Sequence, residues 1–132
     1  MEYKINRFVY WTPRILSILF LLFLTIFSFD VFGEGYSFWE VVVAFLMHNI
    51  PVFILAIVLW ISWKREWVGG SVFILAGLLY IIFPARNAPT WYWALVWILM
   101  ISGPAFLIGV LFLANWRIRS GARKPYRSFR KR

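Results

Sequence analysis

The sequence predicts an all-α polytopic membrane protein: a bundle of four transmembrane helices with both termini in the cytoplasm. Three observations carry this. Of the 132 residues, 63% are hydrophobic, which leaves too little polar surface to enclose a globule in water. The apolar residues fall into four runs, each comparable to the roughly 20 residues that cross a hydrocarbon core about 30 Å thick. The basic residues are also sorted along the chain. The segment through Arg14 holds three, the link at 64–66 two and the tail at 117–132 eight, whereas the alternate loops hold only Arg86 beside Asp30, Glu34 and Glu40. Lys and Arg accumulate on the cytoplasmic side of membrane proteins, so this asymmetry fixes the expected orientation.

The first span covers about 13–32. Thr12 and Pro13 suit the N-cap and first helical position, Arg14 can snorkel back to the nearby interface, and Asp30 sits at the far end. The run is too long for a signal-peptide core, and no small-residue cleavage site follows it, so it is expected to be retained. Gly33 is a candidate left-handed C-cap. The second span, 38–63, opens with Ser37 and Glu40 in capping-box register. Lys64-Arg65-Glu66 is short enough to make spans two and three antiparallel neighbours. Span three, 67–83, is expected to stop at Pro84, and Thr90 can cap span four, 91–116. The basic tail at 117–132 follows, so the chain reads as one membrane domain and a cytoplasmic extension.

The second span carries the chemistry of interest. His48 lies roughly 15 Å into the helix at about 1.5 Å per residue, near the middle of the hydrocarbon, with Asn49 beside it. Pro51 cannot donate to the Met47 carbonyl, so a kink is expected there, with a second at Pro104. Ionisable groups inside a membrane mark functional sites by default, and imidazole changes charge near neutral pH. The competing reading is a neutral histidine bonded to a neighbour, with Ser102, Tyr80 and the Met47 carbonyl as candidate partners. The polar site predicted from sequence is therefore His48, Asn49, Ser102 and Tyr80.

Lipid gives helices no hydrophobic reason to associate, so small residues and occasional hydrogen bonds must do it. The candidate faces are Ser17, Thr25 and Ser28 on span one, and Ala44, His48 and Ala56 on span two. Gly70, Gly77 and Tyr80 serve span three, and Ser102, Ala105 and Gly109 span four. These faces can meet within one chain or between copies. A shift of 53 residues lays Met47, Pro51, Phe53 and Trp63 on Met100, Pro104, Phe106 and Trp116. This pattern fits either an ancient hairpin duplication or two helices that match by accident.

The absence of cysteine excludes disulfides and thiolate metal sites, and a single histidine excludes most other metal chemistry. No cofactor, metal or catalytic constellation is expected. Asp30, Glu34 and Glu40 share no ligand spacing and read as solvated loop charges. In the tail, Arg117, Arg119, Arg123, Lys124, Arg127, Arg130, Lys131 and Arg132 form a juxtamembrane cluster that attracts anionic lipid head groups. Lipid contact accounts for the cluster without nucleic acid.

The segments Trp11-Thr12-Pro13-Arg14-Ile15, Asp30-Val31-Phe32-Gly33, His48 with Pro51, Trp67-Val68-Gly69-Gly70, and Ser102-Gly103-Pro104 with Asn115-Trp116 resemble a family of small four-span prokaryotic membrane proteins of uncharacterised function. The similarity covers about 11–116. It implies a stand-alone four-helix module in a prokaryotic plasma membrane and carries no activity over to any residue. The expected function is that of a non-enzymatic scaffold or accessory subunit, self-associating or bound to a membrane partner. The alternative is an oligomeric transporter or channel using His48 and Asn49.

Overall fold

The structure is a computed structural model that describes residues 6–33 and 35–122. The chain forms α1 (Arg7–Phe27), a 3₁₀ segment (Ser28–Gly33), α2 (Phe38–Ser62), α3 (Glu66–Asn87) and α4 (Trp91–Ala122), with no strand among the described residues. All four helices are long and apolar enough to cross a membrane.

The helix boundaries follow from caps and prolines. α1 begins six residues before the expected start, because the Asn6 side chain accepts the Phe8 amide at 3.3 Å and caps an earlier turn. Thr12 is therefore no cap: its hydroxyl donates to the Phe8 carbonyl at 2.6 Å. Pro13 lies inside the helix and leaves the Val9 carbonyl without its helical donor. At the other end Gly33 closes the 3₁₀ segment, and the left-handed residue is Gly35, at φ 71°. A 3₁₀ segment tightens the end of a helix without a left-handed residue.

α2 opens as its spacing predicts, with the Ser37 amide and hydroxyl both donating to Glu40 Oε2 at 2.8 Å. Pro84 does not end α3. The proline withholds one donor only, its own carbonyl still accepts the Ala88 amide at 2.9 Å, and the helix reaches Asn87. α4 runs past Trp116 to Ala122, which makes its 32 residues about 48 Å long. α2 and α4 are continuous through Pro51 and Pro104.

Each helix packs on the next in the chain, and α1 closes the circuit against α4. Across the two diagonals, α1 with α3 and α2 with α4, the backbones stay apart and only side chains meet. The contact of α3 with α4 is the most extensive, and glycine makes it possible. A Cβ on Gly70 would stand 3.0 Å from the Gly109 carbonyl oxygen, and one on Gly109 would stand 2.9 Å from that of Gly70. Gly77 faces the Phe106 ring, 2.9 Å from where its Cβ would be. Ser102 donates to the Gly77 carbonyl at 2.8 Å along the same seam.

The face expected of the second span is not the one that packs. Ala56 and His48 are exposed and Ala44 is half-buried, whereas Asn49, Leu55, Val58, Leu59 and Ser62 are buried. α2 docks through branched side chains onto a core of Phe20, Phe73, Ile108 and Phe112, so bulk rather than smallness marks its inner face. Phe73 stacks on Phe112 with ring centroids 6.2 Å apart and meets Phe20 at 6.5 Å. This aromatic layer crosses the middle of the protein. Charge gathers on one side of it and a cavity opens on the other.

Candidate functional site

The charged end is built from groups that sequence reasoning separated. Arg14, expected to reach for the interface, is fully buried, and Glu66 is 4% exposed. Arg14 Nη2 donates to Glu66 Oε1 at 2.9 Å and Nη1 to the Tyr10 carbonyl at 2.5 Å. Arg119, from the last turn of α4, donates to the same Glu66 oxygen at 3.3 Å. The Arg14 guanidinium carbon lies 3.6 Å from the Tyr10 ring centroid, and that of Arg119 lies 4.8 Å from it. One carboxylate at the start of α3 thus ties together α1, α3 and α4. Its position in the first turn also suits the positive end of the α3 dipole.

A second tie follows from Pro13. The Val9 carbonyl that the proline deprives of a donor accepts the Asn115 side-chain amide at 2.7 Å. A helix defect in α1 thereby becomes a bond to α4. Sequence reasoning missed this end, although a signal was present: Glu66 is the sole acid among the basic links and tail after residue 14. An acid kept in such surroundings calls for a basic partner. Arg117 is exposed on α4, and Arg123, Lys124, Arg127, Arg130, Lys131 and Arg132 lie outside the described residues.

Beyond the aromatic layer, a cavity of about 590 Å³ is lined by residues of all four helices and the 3₁₀ segment, among them Phe27, Asp30, His48, Tyr80 and Trp97. A second hollow of about 250 Å³ continues from it towards the core, past Ser28, Pro51 and Ala105, and shares His48 and Tyr80. The four residues of the predicted polar site do not assemble. His48 and Tyr80 share the cavity wall, but Ser102 is turned to Gly77 and Asn49 to the carbonyl of Phe45, at 2.8 Å on its own helix. His48 Nδ1 lies 3.2 Å from the Ala44 oxygen, again on its own helix, so neither Ser102 nor the Met47 carbonyl is its partner.

No three His, Asp or Glu side chains converge among the described residues. The cavity joins one imidazole, one phenol and one carboxylate to an apolar and aromatic wall, the composition of a binding pocket with a few orienting groups. A family model for a domain of unknown function, DUF7670, matches residues 1–126, taking in more of the chain than the four helical runs. No curated protein and no solved structure matches it.

Proposed function

The chain belongs to the DUF7670 family, and from its geometry we propose that it is a multi-pass membrane protein that binds a small molecule in the cavity between its helices. The observation that carries this reading is the cavity itself, about 590 Å³, lined by every helix and holding the chain's one histidine. Binding pockets for small molecules have volumes of roughly 300–1,000 Å³. The protein acts as a non-enzymatic accessory subunit of a prokaryotic plasma membrane. Both termini lie in the cytoplasm, where Arg117 and the basic tail meet anionic lipids. The cavity therefore faces outward, and the Arg14–Glu66–Arg119 cluster closes the inner end. A second copy or a membrane partner can pack against the apolar outer faces.

The test fills the cavity. Ile101 lines both hollows, so Ile101→Trp is expected to abolish saturable uptake of lipophilic probes, followed by tryptophan fluorescence in detergent micelles, while helicity stays unchanged. Uptake that persists in this variant would remove the reading.

Transport is the second reading. It is favoured by the position of His48 on a cavity that all four helices line, with Pro51 on the adjoining hollow. Against it stands the aromatic layer of Phe20, Phe73 and Phe112, which closes the way to the basic end. Flux into proteoliposomes that is lost in His48→Leu would establish this reading in place of simple binding.

A further inference from the structure

We propose that the molecule held in the outer cavity is a lipophilic organic cation. This rests on the binding reading above and adds the charge of the ligand. The wall includes the rings of Phe27, Tyr80, Phe83, Trp93 and Trp97, and the carboxylate of Asp30 stands among them. Aromatic faces are electron-rich and attract cations, indole most strongly, and a site built from several of them suits a diffuse charge carried on apolar groups.

Asp30 makes the preference one of sign. No hydrogen bond or ion pair joins it to another described residue, and no lysine or arginine among the described residues lines the cavity. The one basic group on the wall is His48, which lies against its own helix through the Ala44 carbonyl. The chain has fourteen Lys and Arg, and among the described residues the ones that meet a carboxylate, Arg14 and Arg119, do so at Glu66 on the other side of the core. Asp30 is exposed at the mouth of this ring-lined hollow, and without a basic partner among the described residues its carboxylate adds an attraction for a ligand that brings positive charge. An anion would meet the carboxylate and the negative ring faces together, and a neutral molecule would leave the carboxylate as it is.

The experiment compares probes of one shape and different charge: tetraphenylphosphonium, tetraphenylborate and triphenylphosphine oxide, titrated calorimetrically into the full chain in detergent. Saturable binding of the phosphonium alone is expected, lost in Ile101→Trp and weakened about tenfold in Asp30→Asn, with Asp30→Glu retaining it. Because Asp30→Asn can disturb the 3₁₀ segment, Trp97→Leu provides a second arm, with binding weakened and the melting temperature close to that of the parent. Equal binding of all three probes, insensitive to Asp30→Asn, would overturn the cation proposal and leave the cavity reading intact. Binding of none of them at a site that Ile101→Trp removes would overturn both.

Discussion

Arg14 and Glu66, 52 positions apart in the chain, meet at 2.9 Å with side chains 0% and 3% exposed. A buried pair of this kind contributes little net stability compared with a well-packed apolar pair, because both ions lose their hydration. Breaking it is another matter. Glu66→Leu would strand Arg14 in the core, where its Nε already lacks a partner. We expect about 3–5 kcal/mol of destabilisation, read as a lower melting temperature in detergent. The double variant Arg14→Leu/Glu66→Leu should melt above Glu66→Leu alone. A double variant worse than either single change would show that the two residues act independently.

Arg119 reaches the same oxygen at 3.3 Å but its side chain is 40% exposed. Water and salt screen it, so Arg119→Gln should cost no more than about 1 kcal/mol. The comparison with Glu66→Leu separates the buried tie from the exposed one, and equal losses would contradict the difference in burial.

The bond from Asn115 to the Val9 carbonyl exists because Pro13 offers that carbonyl no donor. Asn115→Leu should lower stability by about 0.6 kcal/mol, and at most about 1.7, the range of interhelical polar contacts in membranes. Pro13→Ala restores an amide donor on α1, so in that background Asn115→Leu should cost less. Additive losses in the melting temperatures would exclude the link.

The four helices and their order were legible because hydrophobic length is a one-dimensional property, and the Ser37–Glu40 box because its two residues are three apart. Arg14 and Glu66 were not legible together. Snorkelling and pairing use the same residue type at the same depth, and only the folded neighbours decide between them. The same limit applies to α2. Small residues at helical spacing marked Gly70, Gly77 and Gly109 on helices that do approach closely, but Ala44 and Ala56 fall on a helix that docks by bulk. His48 was singled out as a mid-helix polar group and lies within α2, but its environment depends on a hollow that no local pattern encodes.

Glycines of α3 and α4 give a contrast within one helix. Gly109→Ala must push against the Gly70 carbonyl and Ile74, whose Cγ1 would lie 2.6 Å from the new Cβ. A loss of about 1–3 kcal/mol is expected from overpacking. Gly103 has nothing within 4 Å of a Cβ, so Gly103→Ala should be neutral or stabilise by up to about 1 kcal/mol through helix propensity. Similar melting temperatures for the two would dissolve the proposed glycine contact.

His48 and Asn49 are adjacent in sequence and opposite in circumstance, which gives the last prediction its sign. His48 faces the cavity and Asn49 is 2% exposed, and each side chain bonds only to a carbonyl of its own helix. His48→Leu removes a polar group that supports no other helix, so its stability should stay within about 0.5 kcal/mol of the parent, read as a nearly unchanged melting temperature. Any loss of probe binding or flux in His48→Leu then reports on the cavity rather than on folding. Asn49→Leu exchanges a buried amide, satisfied within its own turn, for an apolar group of similar size. Such an exchange is near neutral when no partner is left stranded, so stability should hold and the cavity should keep its ligand. A marked drop in stability for His48→Leu would assign the histidine a packing role and remove it from the binding site.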